Sequence, residues 1–308
     1  MWTRGRFNKE IVPGYFALMI DSYRNKRHSA MGKDLMTTKS SSKAREQNIE
    51  RSGLGSPVVK GEGEGVTYDT QIAGAEQSWY PLVRALAVRI TEEAIDDNLY
   101  ELNGGGDGLK EIFHDLSEAL AENEEVEDAR FLQEGDTTTY HTCRDTLALF
   151  SASHTRLDAS TYSNTSTAYS DLTYTSFWAS VVACENQLNH RQHRVGKKVK
   201  NIWIPPELER NAIEILKSTD RPDTANRAIN AMVSSGRKIS IKAWPHLTDT
   251  DAWFLQLDGD GIIKFNRRKT RFAKERDFQT GDMMVKGDQR FSAEINDPRC
   301  FYGVIPAD

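Results

Sequence analysis

The stretch DFQTGDMMVKGDQRFSAEINDPRCFYG, residues 277–303, decides how this chain is read. Short apolar runs alternate in it with turn-forming clusters at QTGD, KGDQ and NDPR, so three or four strands joined by tight turns are expected. It carries charge throughout, yet nowhere combines a nucleophile, a base and an orienting group. An ending of this kind serves contacts rather than chemistry, and the preceding sequence must supply what it contacts.

Immediately upstream the pattern is that of α/β packing. VKNIWI reads as a strand, Pro205-Pro206 opens the helix ELERNAIEILKS, and RKISIKAWP, AWFLQL and GIIKFN follow as strands, with a hairpin turn expected at DGDG. A helix from about Ser170 carries Trp178, Val181, Val182 and Leu188 on one side. Leu109, Ile112, Phe113, Leu116 and Leu120 fall at helical spacing and begin a longer amphipathic helix that runs to about Leu132. Its other face, with Glu118, Glu122, Glu124, Glu125, Glu127 and Asp128, reads as solvated or turned toward another polyanion. Thr91, Glu92 and Glu93 in TEEAIDDN have the chemistry of a helix start.

The first 90 residues differ in kind. Residues 21–51 are polar and basic, without helical or strand period, and read as an arm. The glycine-rich segment that follows leads into VTYDTQI and then YPLVRALAVRI, two extended runs that suggest a long projecting hairpin. A meander packed on its own domain fits the same pattern.

Composition excludes several classes. In 308 residues with a net charge of -5, a pI near 5.9 and a mean hydropathy of -0.61, there is no basic footprint for coating nucleic acid. No apolar run is long enough to span a bilayer, and IVPGYFALMI is not followed by a cleavage-type site. Cys143, Cys184 and Cys300 are too widely spaced for a disulfide framework or a C-x-x-C pair and read as small core residues made in a reducing cytosol.

The motifs are weak. Asp258 and Asp260 have the spacing that opens a calcium loop, but the positions for its fifth and twelfth residues hold Ile262 and Lys269. NGGGDGLKE lacks the G-K-[ST] of a phosphate loop, and no G-x-S-x-G elbow is present. His141, Cys143 and Asp145 form the sole cluster with catalytic chemistry, without the deaminase signature or a second ligand pair. His190 and His193, in NHRQHRVGKK, read as a helix end and exposed surface. No cofactor or metal is implied. An arm, a projecting hairpin and a spine-like helix without a catalytic cluster describe a chain built to contact copies of itself.

The order of VRALAVRITEEAIDDNLY, LFSASH, NIWIPPELERNAIEILKST, TDTDAWFLQL and GDMMVKGDQRFSAEINDPRCFYGV resembles the major capsid proteins of tailed phages with the Hong Kong-97 fold, nearest to the Mu-type prophage head subunits. The resemblance implies an α+β fold with an N-arm over residues 1–52, an extended E-loop over 53–90 and a peripheral P-domain over 91–169 whose spine helix covers about 109–132. It further implies an axial A-domain over 170–265 and returning P-domain strands over 266–308. By the same resemblance the chain assembles with itself through pentamers and hexamers into an icosahedral virion shell around double-stranded DNA, after synthesis in the host cytoplasm. Scaffold, portal and cement proteins are the other partners implied, and membrane is not. Lys60, Glu62, Glu64, Tyr68, Trp79 and Tyr80 are the expected assembly contacts, and Glu122, Glu124 and Glu125 the expected lumen-facing acidic face. The alternatives are an encapsulin-like shell around enzyme cargo and an enzyme using the Cys143 cluster.

Overall fold

The structure is a computed structural model and describes residues 12–93, 108–166, 169–220 and 228–306. The start of TEEAIDDN is described only as far as Glu93, and most of NGGGDG lies outside the described residues. Two four-stranded sheets organise the chain.

The first sheet is built on a long ribbon. Strand β10 (Ile262–Arg276) and strand β11 (Met283–Ile295) pair antiparallel from Ile262↔Ile295 to Arg276↔Met283. The QTGD turn closes them, where Asp277 N donates to Asp282 O and Gly281 takes a φ of 75°. KGDQ is therefore no turn, and Gly287 lies in mid-strand. A Cβ there would stand 2.3 Å from Leu120 Cδ1 and 2.8 Å from the Phe272 ring, so the absent side chain lets a helix cross the sheet closely. Strand β4 (Leu82–Ile90) flanks β11, and β1 (Thr37–Ser40) lies parallel to β10 at the opposite edge. β10 runs uninterrupted through residues 265 and 266, so the two segments divided there share one strand.

The second sheet has the order β12 (Phe301–Val304), β9 (Trp253–Leu257), β7 (Val199–Ile204) and β8 (Ser240–Ala243). DGDG thus joins strands of different sheets rather than closing a hairpin, and Asp260 accepts hydrogen bonds from Thr37 Oγ1 at 2.7 Å and Lys39 Nζ at 3.2 Å. β7, β9 and β12 are apolar on both faces because both are covered. Ile202, Ile204, Trp253, Leu255, Tyr302 and Val304 pack with Phe177 and Val181 of one helix and Ala212 and Ile215 of another. Alternate residues Trp203, Phe254 and Phe301 face a second cluster with Phe131, Leu132 and Phe150. Between the sheets in chain order, the short strands β5 (His154–Thr155) and β6 (Thr161–Tyr162) pair only with each other.

The helices, numbered in chain order, are α1 (Val12–Ser29), the one-turn α2 (Gly32–Leu35), α3 (Gly108–Gln133), α4 (Tyr174–Glu185), α5 (Glu209–Lys217) and the short α6 (Ala231–Ser234). Thr173 and Ser176 make the capping box that starts α4. On α4 Phe177, Val181 and Cys184 are buried, whereas Val182 is largely exposed.

Two elements depart from expectation at the N-terminal end. Part of the polar arm is the helix α1, packed along α3. The projecting hairpin is closed by β2 (Glu46–Arg51) on β3 (Ala73–Trp79), while VTYDTQI lies in the irregular segment between them. That segment lacks the cross-strand partner a period-2 run requires.

Replacing Gly287 by Val should lower stability by about 1–3 kcal/mol through overpacking against Leu120 and Phe272. A lower urea midpoint with an unchanged slope is the expected result.

Candidate assembly surfaces

Residues 54–72 form an uninterrupted exposed segment. Val59 is 94% and Tyr68 93% exposed, with Leu54, Val58 and Val66 also largely open. Lys60, Glu62 and Glu64 are exposed on the same segment, and Glu64 Oε2 accepts from Gly61 N at 3.0 Å. Asp69 anchors its base, accepting from Gly55 N at 2.6 Å and Arg191 Nη2 at 3.5 Å. Leu82, Val83 and Leu86 continue the apolar exposure along β4, the free edge of the first sheet. Phe278, at the tip of the β10–β11 ribbon, is completely exposed.

Of the expected contacts, Tyr80 is exposed and accepts from Arg45 Nη1 at 3.3 Å. Trp79 is not available, being 1% exposed with its ring edge-on to Phe265 at 5.4 Å. Its period in β3 turns it inward, where the indole fills space under the first sheet.

The acidic face of α3 is also corrected. Its buried stripe runs through Phe113, Leu116, Leu120, Glu124, Glu125, Asp128, Ala129 and Leu132, so the middle of the core-facing stripe is acidic. Cations from other elements make this tenable. Arg27 of α1 places Nη2 3.0 Å from Glu124 and Nη1 3.0 Å from Glu125. Lys264 of β10 puts Nζ 2.6 Å from Glu124 and 2.8 Å from Asp128. Tyr23 donates its hydroxyl to Glu124, and Glu125 Oε1 accepts from the backbone of Met31 and Gly32. Only Glu122 of the three expected lumen-facing acids is substantially open, beside Lys26 at 3.2 Å and His246 at 3.3 Å.

Asp128 is enclosed by protein, and burial pushes its carboxyl up to about 6 against the pull of Lys264. Burial also raises Glu124, but there the Lys264 and Arg27 charges win and hold it below the ordinary carboxylate range. The two acids therefore respond to pH in opposite senses.

The cluster with catalytic chemistry is rearranged. His141 stacks on Phe131 with centroids 3.6 Å apart, and His154 takes its place beside Cys143 and Asp145. His154 directs Nδ1 to Asp145 Oδ2 at 2.6 Å and Nε2 to Leu149 O at 3.1 Å, so both ring nitrogens are occupied. Burial, then Asp145, pushes the Cys143 thiol upward, the reverse of an activated nucleophile. The arrangement fixes the loop around residues 143–155 and supplies no base to a thiol. His190 is likewise buried rather than exposed, 2.9 Å from Glu50. No helix among the described residues is long and apolar enough to cross a membrane.

Removing Lys264 leaves the buried Glu124 and Asp128 with Arg27 as their remaining cation, so Lys264→Met should cost about 3–5 kcal/mol. The raised Asp128 binds a proton more tightly in the folded state, so its contribution is largest below about pH 4 and is lost as pH climbs to about 6. Urea unfolding near those two pH values should show wild type losing on the order of 1–3 kcal/mol relative to Asp128→Asn as pH rises.

The fold has counterparts among known proteins. The chain aligns over 90% of its length with 89% of the capsid subunit of a native GTA particle, at 9% identity and a TM-score of 0.58. It is similar over 90% of its length to 91% of a chain from Microbacterium phage Oxtober96, with 10% identity and a TM-score of 0.57. It also covers 98% of a virus-like particle subunit from Pyrococcus furiosus with 95% of its own length, at 10% identity and a TM-score of 0.53. No curated protein matches it. These likenesses establish the Hong Kong-97 fold. The profile of a family described as phage capsid protein matches residues 75–304, and the chain therefore belongs to the phage capsid proteins, as a major subunit of the virion shell.

Proposed function

We propose that the chain is a Mu-type head subunit that assembles through pentamers and hexamers into an icosahedral shell around double-stranded DNA. The observation that carries this reading is the unburied surface. Residues 54–72 are exposed without interruption, and the apolar side chains of Val59, Tyr68, Leu82 and Phe278 stand open, which calls for neighbouring copies.

In this reading residues 53–90 are the E-loop and lie over an adjacent subunit, with Lys60, Glu62, Glu64, Tyr68 and Tyr80 in contact. α3 is the spine of the P-domain, the β7–β9 sheet belongs to the A-domain, and the ribbon β10–β11 completes the P-domain. The contacts are heterologous and close into rings, and each one is weak alone. Their number stabilises the shell, because every contact after the first forms at high effective concentration.

The net charge of -5 suits a container, since DNA enclosed in it is not held by a basic surface. Scaffold, portal and cement proteins are its further partners, and the host cytoplasm is where it resides before assembly. The subunit performs no catalysis. A shell around enzyme cargo is separated from this reading by nuclease-protected DNA inside purified particles.

Light scattering on size-exclusion fractions tests the assembly surface. Val59→Asp with Tyr68→Asp should reduce shell formation at least about tenfold while leaving the subunit's thermal transition unchanged, because neither side chain touches the core. Shells forming as in wild type would remove residues 54–72 from the interface.

A further inference from the structure

We propose that Lys197 and Cys300 form a covalent oxidative cross-link, with one oxygen atom bridging Lys197 Nζ and Cys300 Sγ, that fastens the entry to β7 to the C-terminal strand. Lys197 Nζ donates to Cys300 Sγ at 2.9 Å, a separation that one bridging oxygen atom can span. An S–N bond would require the two groups to move together.

The pair is held in place by its surroundings. Asp297 Oδ2 receives Lys197 Nζ at 2.7 Å, and its Oδ1 receives Arg299 Nε at 2.8 Å, so one carboxylate positions the lysine and the turn that carries Cys300. Asp297 also caps this turn, accepting from Arg299 N at 3.1 Å. Lys197 satisfies its ion pair through Asp297, and the sulfur contact is additional to it. Gly259 lies over both groups with a φ of 127°, where a Cβ would stand 3.2 Å from Sγ and 3.5 Å from Nζ. A side chain there would close the approach to the pair, and glycine leaves room for a small oxidant.

Dioxygen balances the reaction. The Cys300 thiol, the Lys197 ammonium and one O₂ give S–O–NH, one water and one proton. Sulfur and nitrogen each lose two electrons, and the two oxygen atoms take up all four. The S–H bond, two N–H bonds and the O=O bond break, one of the two N–H hydrogens leaving as the released proton, while S–O, O–N and the two O–H bonds of water form. Excess thiol reductant regenerates the free thiol and amine. Burial pushes the Cys300 thiol up to about 12, and Lys197 is held in its charged form chiefly by Asp297 against its burial. The resting pair is thus thiol and ammonium, which makes the step slow and suits a fastening formed once in the life of a particle. The loop it closes spans residues 197–300 and removes chain entropy from any opening between β7 and the C-terminus.

The full chain is aged in air-saturated buffer, denatured without reductant, digested with a glutamate-specific protease and measured by mass spectrometry. The expected product joins the Lys197 and Cys300 peptides with one oxygen gained and two hydrogens lost, about 14 Da. The free-thiol count of the denatured chain should fall from three to two and return with dithiothreitol. Lys197→Arg, which keeps the cation for Asp297, should retain three thiols. A wild-type chain that keeps three thiols with no joined peptide, or that oxidises Cys300 without joining Lys197, would overturn the proposal.

Discussion

Lys264 carries its charge into the interior of the subunit, and the acidic stripe of α3 exists to meet it. The remaining architecture depends on this contact. Lys264 belongs to β10, so the interaction sets α3 across the first sheet; Arg27 shares the same acids, so it also sets α1 along α3. Tyr23, bonded to Glu124 and Gln289 Oε1, ties that helix to β11 as well. A buried ion cluster adds little net stability relative to an apolar core, but it penalises every arrangement that leaves a charge unpaired. Its contribution here is orientation: three elements distant in sequence have one mutual placement in which all the charges are met.

A polar counterpart joins the second sheet to the N-terminal segment. Gln256 accepts from Asn201 Nδ2 and Trp203 Nε1 at 2.8 Å each, and its amide nitrogen donates to the carbonyls of Asp34 and Leu35. Around it Trp203, Trp244 and Phe254 close the cluster shared by both sheets. The subunit is therefore rigid where the sheets meet α3, while residues 54–72 and the tip at Phe278 extend beyond that frame.

How far the sequence reveals this can be judged from individual residues. Leu116 and Leu120 reveal α3 by period alone, and Pro205-Pro206 marks a helix start correctly, whereas the cap at Thr173 starts α4 a few residues later than the Ser170 expected. Glu124, Glu125 and Asp128 continue the same stripe, but acids at core positions read as solvated until their partners are known. For Asp128 those partners, Arg27 and Lys264, lie 101 and 136 positions away. KGDQ has turn chemistry, yet Gly287 serves a close crossing that only the tertiary structure creates. DGDG turns the chain as expected, but local chemistry does not state whether the flanking strands share a sheet. The spacing that links His141 to Cys143 is likewise replaced in space by His154. For the assembly surface, the resemblance names Tyr68, Trp79 and Tyr80 alike, and composition does not separate the two exposed tyrosines from Trp79, which lies inside.

A subunit with a rigid centre and open apolar extensions is complete only beside its neighbours. Electron microscopy of the purified full chain at increasing concentration tests this most directly. The account predicts closed shells with fivefold and sixfold rings in which residues 54–72 rest on an adjacent copy. Monomers at every concentration, or shells in which that segment contacts only its own subunit, would contradict it.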